Sequence, residues 1–144
     1  MKNSFSFLWA ILASMTWGLT YTLDDKILRS ISPLNLAIVN AFVTLLLFVP
    51  IALFQNPHAL TEVIHAKQLW LVLLSSVLIS FAGLFILYGI KELGASTASI
   101  IEISYPMFVI LFSAILWRER LTLDFFAGAL LVLCGSIIII RGRG

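Results

Sequence analysis

The chain has 144 residues, of which 61% are hydrophobic and 11% charged, and its formal net charge is +2. A soluble domain with a mean hydropathy of +1.09 would have too little polar surface to cover itself, so the composition indicates an integral membrane protein. Cys134 stands alone, which excludes an internal disulfide. No Gly-rich phosphate loop and no pair of carboxylates within a segment supports hydrolytic or phosphoryl chemistry, so we expect neither an enzyme nor a cofactor.

Five apolar stretches account for most of the sequence. Each is close to the ~20 residues that a helix needs to cross a ~30 Å hydrocarbon core. Strands are excluded because an open sheet edge cannot be satisfied in lipid, and the stretches lack the alternation of a barrel. The sequence therefore predicts an all-α membrane protein in which a single domain, residues 1–144, has five transmembrane helices. The predicted spans are Phe5 to Leu23, Leu34 to Phe54, Leu69 to Ile90, Ala95 to Trp117 and Leu123 to Ile140.

The first stretch resembles a secretory signal only in the Lys2 that precedes it. It is as long as a full span, ends without a small-residue cleavage pattern and is followed by four more spans, so we expect it to be retained. Ala10, Ser14 and Gly18 recur every four residues on one face, a pattern typical of close helix packing. Trp17 lies well inside the span, so its ring packs against another helix, faces lipid or lines a cavity.

The connection from Gln55 to Gln68 is the longest between two spans. Asn56 is suited to an N-cap and Pro57 to a first helical position, which favours a short helix in the membrane interface, with a solvated loop as the equal alternative. His58 and His65 also lie here. Two His without a third ligand indicate surface residues, and we expect no metal site.

The fourth stretch contains the charged residue that is most costly to place within a membrane. Glu102 is the only formally charged side chain well inside a span, about 10 Å from its start, and such a residue must be protonated, paired or in contact with water. Pro106 lacks the N–H that would bond the Glu102 carbonyl, so we expect a kink beside the carboxyl. A kinked helix with a carboxyl at the same depth is typical of transporter sites. The alternative is a packing kink with a Glu that snorkels outward or bonds a neighbouring hydroxyl.

Polar and aromatic residues of other spans lie within about one helical turn of the depth of Glu102. Depth does not establish that they face each other, and Thr20 and Asn40 are equally suited to interhelical hydrogen bonds. If these polar and aromatic side chains converge, they form a cavity at the Glu102 carboxyl. The candidate residues for binding substrate or a proton are Glu102, Trp17, Thr20, Tyr21, Asn40 and Tyr105.

The last stretch and the loops bear on assembly. Gly128 and Gly135 are seven residues apart and share a face in a span with almost no polar residues, which makes this span the natural candidate for a dimer contact. With the N-terminus on side A, four loop cations fall on side A and five on side B, so the excess that normally fixes the cytoplasmic face is missing. The side A cations are Lys2, Lys67, Arg118 and Arg120; those of side B are Lys26, Arg29, Lys91, Arg141 and Arg143. Either both orientations are inserted, or another determinant such as Asp24 and Asp25 decides.

Several motifs together resemble the EamA domain of the drug/metabolite transporter superfamily over nearly the whole chain. Asn40 stands where many relatives carry an Arg, and Arg118 stands where they carry a Gly. Because of the first departure, the anion recognition associated with that Arg is not carried over to this chain. The matching segments are Trp17-Gly18, Lys26, Ser32-Pro33-Leu34, Gly94 to Glu102 with Tyr105-Pro106, Glu119-Arg120-Leu121-Thr122, and Gly128-Ala129 with Gly135.

The resemblance implies one half of an inverted-repeat transporter, because usual members resemble two fused five-helix repeats of opposite orientation around a central cavity. A single repeat needs a partner to enclose such a pathway, and an antiparallel copy of itself recreates the arrangement. We therefore expect a dual-topology homodimer that exports or exchanges a small metabolite or a cationic, amphipathic compound, with Glu102 as a proton or cation site.

Two alternatives stay open at this stage. One is a subunit that pairs with a homologous chain to form a heterodimeric transporter. The other is a non-transporting membrane scaffold or assembly subunit, in which Glu102 is a buried structural group. In each case the expected surroundings are the lipid bilayer, as a multi-pass protein of a prokaryotic cytoplasmic (inner) membrane, and no nucleic acid is expected as a partner.

Overall fold

The computed structural model of the protein describes residues 2–118 and 122–142, with the side chains of residues 2–6, 59, 60 and 125 left out. Every regular element within these ranges is a helix. Their bounds are α1 Lys2–Ile27, α2 Pro33–Gln55, α3 Ala59–Ile64, α4 Leu69–Leu93, α5 Ala95–Glu102, α6 Tyr105–Trp117 and α7 Leu123–Arg141. The motif residues Glu119, Arg120 and Leu121 and the terminal Arg143 lie outside the described residues.

The five predicted spans all coincide with helical segments, the fourth being divided into α5 and α6. Three described segments are long and apolar enough to cross a bilayer: Pro33–Gln55, Leu69–Leu93 and Ala95–Trp117. Helix α7 contributes a shorter apolar segment, Phe126–Arg141. The all-α membrane class is confirmed, and crossing of the bilayer by α1 and α7 stays a prediction.

Each end of α2 follows from local chemistry. Ser32 caps its N-terminus by accepting a hydrogen bond from the Asn35 N–H, with Pro33 in the first turn, where a missing N–H costs nothing. At the other end the N–H of Asn56 donates to the Ala52 carbonyl. The connection beyond it contains the short helix α3, but our expected start was wrong: the N-cap is His58, and the Asn56 side chain instead accepts from the His58 N–H.

The helices pack most closely near side B, where the α1–α2 and α4–α5 connections lie. Helix α4 packs against α1, α2 and α5, and α7 packs against α5 and α6. The buried cluster is small and consists of Tyr21, Leu28, Leu36, Leu87, Ile90 and Ala98. These residues belong to the side B ends of α1, α2, α4 and α5 and to the α1–α2 connection.

The α4–α5 corner is the tightest turn among the described elements. Gly94 has φ +79° and ψ 156°, a conformation that is open in practice only to glycine. It lets α5 fold back along α4, where a Cβ added at Gly89 would lie 3.7 Å from the Cβ of Ala98. Close contact of the two backbones follows directly from these small residues.

The chain has far more accessible surface than a folded soluble protein of its mass. The chain exposes 11964 Å², whereas a folded soluble monomer of 16.0 kDa is expected to expose about 7,400 Å². The excess is mainly apolar side chain from all the long helices. Lipid, another chain, or both must cover this surface, since water does not tolerate an apolar patch of that size.

Candidate functional site

A hydrogen bond between two distant spans marks the candidate site. The Tyr21 hydroxyl of α1 donates to Oε2 of Glu102, at the end of α5, over 2.6 Å. Tyr21 is 7% exposed, whereas the Glu102 carboxyl stays accessible. A bond of this length is typical of an O–H donor to a carboxylate. The buried Tyr21 side chain therefore links the Glu102 carboxyl to α1, whose opposite side lines a groove.

Glu102 is at a helix end because the fourth span is broken immediately after it. The break consists of Ile103 and Ser104, and the Ser104 hydroxyl donates to the Ile101 carbonyl over 2.7 Å. Pro106 then lies in the first turn of α6, where its missing N–H would have no intrahelical partner. The carboxyl thus lies beside irregular backbone at membrane depth, which is tolerated where it is buried in protein or lines a cavity.

A long groove lies on the other side of Tyr21, between α1 and α2. Its side B part has a volume of about 430 Å³ and is floored by α4; its side A part has about 590 Å³ and is lined by α1 and α2 alone. Both parts share Trp17, Thr20 and Asn40. We call this continuous feature the α1–α2 groove. Its size is that of sites that hold small molecules.

Four of the six candidate residues line this groove: Trp17, Thr20, Tyr21 and Asn40. The Trp17 and Tyr21 rings are 5.5 Å apart and tilted by 55°. Thr20 donates its hydroxyl to the Thr16 carbonyl, so its polar group is used within α1. The Asn40 amide makes no hydrogen bond with any residue that the structure describes, and remains available to a ligand.

The other two candidates lie elsewhere. Glu102 does not line the α1–α2 groove, and among the described residues the Tyr21 hydroxyl is its one hydrogen-bonded link to it. Tyr105 follows the helix break, is 60% exposed and lines neither part of the groove. The sequence-predicted cavity around the carboxyl is therefore two features, a groove and a carboxyl, with one phenol between them.

Asp24 is a groove residue that the sequence analysis considered only for orientation. It lines the side B part, is 6% exposed, and makes no side-chain hydrogen bond or ion pair within the described chain. Burial raises the pKa of this carboxyl, which follows the apolar stretch of α1. A signal was present: Trp17, Tyr21 and Asp24 are spaced by four and three residues, and so share a helical face.

The neighbouring carboxyl has a different, structural role. Asp25 Oδ1 accepts a hydrogen bond from the Ala95 N–H over 3.3 Å, at the first residue of α5, and lies opposite Gly94. Its Oδ2 is 3.5 Å from Nη2 of Arg29, one turn further on. A carboxylate at a helix N-terminus satisfies a free N–H and complements the helix dipole. Asp25 thereby joins α1 to the α4–α5 corner.

The small-residue faces make no close helix contact within the described chain. A Cβ added at Gly18, Gly128 or Gly135 would meet nothing within 4 Å, apart from neighbours along its own helix. Ala10 and Ser14 are exposed, and Ser14 returns its hydroxyl to the Ala10 carbonyl. Close packing of these glycines against another helix of the same chain is thus not seen.

Metal-binding residues are not grouped in the described part of the chain, where no three His, Cys, Asp or Glu side chains come together. His65 Nδ1 is 2.8 Å from the Thr61 carbonyl, within the α3 segment. Cys134 is a free, exposed thiol.

Comparison with known proteins gives one match. The family model described as the EamA-like transporter family covers residues 4–141. No curated protein and no solved structure gives a significant match.

Proposed function

The chain belongs to the EamA-like transporter family, and from that premise we propose that it is a secondary transporter that exports or exchanges a small metabolite or a cationic, amphipathic compound. Membership of the family makes it a membrane transporter rather than an enzyme. The observation that carries the finer proposal is the α1–α2 groove, whose wall includes Trp17, Tyr21 and Asn40 and whose Tyr21 binds Glu102.

Proton coupling is proposed to act through the Tyr21–Glu102 hydrogen bond. An ionised carboxylate is a strong acceptor for the phenol, whereas a protonated one is a much weaker acceptor. Protonation of Glu102 therefore weakens its bond to the Tyr21 hydroxyl, which belongs to a residue of the groove wall, and makes that hydroxyl easier to turn away. The charge state of one carboxyl thus changes the shape and polarity of the site without contacting the substrate.

Flux in proteoliposomes tests the coupling. Counterflow of labelled amines, amino acids and aromatic cations is measured for the wild type and for Glu102→Gln across a pH series. We expect Glu102→Gln to lose the pH dependence of flux, and Glu92→Gln to retain it. Glu92 is the matched control, because it is an exposed carboxyl at the side B end of α4. Unchanged pH-dependent flux in Glu102→Gln would rule out the coupling.

The transport unit is proposed to be an antiparallel pair of chains. One copy supplies walls to the groove from only three helices, and its accessible surface far exceeds that of a compact monomer. The even division of loop cations allows both orientations, and an inverted copy supplies the opposite wall. Cysteine crosslinking of the chain expressed alone tests this: ordered inverted pairs support the homodimer, whereas their absence favours a heterodimer or a scaffold.

A further inference from the structure

The strongest unassigned feature is the Asp24 carboxyl in the α1–α2 groove. It is 6% exposed, yet no residue of the described chain donates to it or pairs with it. The neighbouring carboxyl, by contrast, is paired: Asp25 lies 3.5 Å from Arg29 of the α1–α2 connection. No buried side-chain oxygen of the described residues lacks a hydrogen-bond partner, so the unpaired Asp24 oxygens are open to the groove. A carboxylate that faces a largely apolar groove favours an occupant that supplies positive charge.

The rest of the groove limits what that occupant can be. No Lys, Arg or His is among the described residues that line either part, and Asp24 is their only formally charged member. The one formal charge that an occupant meets there is therefore negative, which disfavours an anion. A divalent metal requires several oxygen or nitrogen ligands, whereas the groove supplies one carboxyl and mostly apolar side chains.

The lining also gives the occupant a shape. Beside Asp24 the wall is apolar, formed by residues such as Leu34, Ile38 and Leu87. Trp17 is seven residues before Asp24 on α1, about 10 Å along the helix axis. Its indole face is suited to an aromatic or cationic group. Asn40, which like Trp17 lines both parts of the groove, has an amide without a partner among the described residues and can make one further polar contact.

We propose that Asp24 binds the ammonium group of an organic cation whose apolar body lies along α1 toward Trp17. The inference rests on the proposed transport function only in calling this cation the substrate class. It separates two roles that the sequence assigned to one residue. Asp24 holds the positive charge of the ligand, and Glu102, outside the groove, is left to exchange a proton.

The test is a binding measurement with two probes that differ in charge. Isothermal titration of the full chain in detergent micelles is done with 2-phenylethylammonium and with its neutral analogue 2-phenylethanol. We expect the wild type to bind the ammonium at least tenfold more tightly than the alcohol. In Asp24→Asn the two affinities should become equal, and Asp24→Glu should restore the preference.

Asp25→Asn is the matched control, since it removes the same charge from the adjacent residue, which faces α5 rather than the groove. We expect its ammonium affinity to stay within threefold of the wild type. The proposal is overturned if the wild type shows no preference for the ammonium, or if Asp24→Asn retains the preference. If Asp24→Asn does not fold, the test uses Asp25→Asn and Asp24→Glu. An equal loss of the ammonium preference in these two variants also overturns the proposal.

The ammonium site and the transport function can be refuted separately. Ammonium binding that depends on Asp24 without any flux in proteoliposomes would remove transport and leave the site. Flux without charge preference would remove the site and leave transport.

Discussion

Removal of the Tyr21 hydroxyl tests the connection between the groove and the carboxyl. Tyr21→Phe deletes the donor to Glu102 Oε2 and nothing else, because the ring remains to pack against Trp17. Hydrogen bonds to charged groups contribute about 1.5–3 kcal/mol, and the lower end applies here because water reaches the exposed carboxyl after the bond is lost. We expect the free energy of unfolding to fall by about 1.5 kcal/mol.

The assay is SDS titration in mixed micelles, followed by circular dichroism. Tyr88→Phe is the matched control: Tyr88 is exposed and makes no hydrogen bond with the described residues, so its change should stay within about 0.5 kcal/mol. A double-mutant cycle with Glu102→Ala should give a coupling of about 1.5 kcal/mol between the two side chains, since the hydroxyl has no other partner in the described part of the chain. Equal stabilities of Tyr21→Phe and Tyr88→Phe, or a coupling of zero, would refute the proposed connection.

Four further substitutions have definite expected outcomes. Asp24→Asn should raise the free energy of unfolding at neutral pH. Burial raises the pKa of Asp24, so its ionisation costs stability, and the difference between wild type and variant should vanish below about pH 4. Equal stabilities of the two proteins at pH 7 would contradict this. Asp25→Ala should lower the free energy of unfolding by about 1–2 kcal/mol, because the Ala95 N–H loses its acceptor and α5 its N-terminal negative charge; no loss on SDS titration would contradict this. Gly94→Ala should lower it by about 1–3 kcal/mol, because alanine is strained at this φ and ψ, and an unchanged unfolding curve would count against the geometry. Gly128→Ala should not lower the free energy of unfolding of the monomer, since an added Cβ has open space, but it should lower the crosslinked dimer fraction; an unaffected dimer would exclude this face as the contact.

The helices and the break in the fourth span could be anticipated because each depends on local chemistry. Hydropathy and length fix where an apolar helix forms, and the missing N–H of Pro106 interrupts the helical bonds close to Glu102. The start of α3 could not be fixed from Asn56 and Pro57. Asn56 bonds the His58 N–H in a turn, which competes with capping the helix.

The candidate site could be predicted in depth but not in direction. A rise of 1.5 Å per residue places Tyr21, Asn40 and Tyr105 near the level of Glu102. The rotation of each helix about its axis depends on packing, and it directs Tyr21 toward Glu102 and leaves Tyr105 exposed. Asp24 and Asp25 show the same effect, since a 100° step between neighbours sends one carboxyl to the groove and the other to α5.

The orientation of the chain in the membrane tests the central claim most directly, because a half-transporter completed by an inverted copy requires both orientations. A topology reporter fused after Gly144, scored on both sides of the membrane in cells that express the chain alone, measures this. We predict comparable reporter signals from the two sides of the membrane. A reporter found on one side only would contradict the antiparallel homodimer.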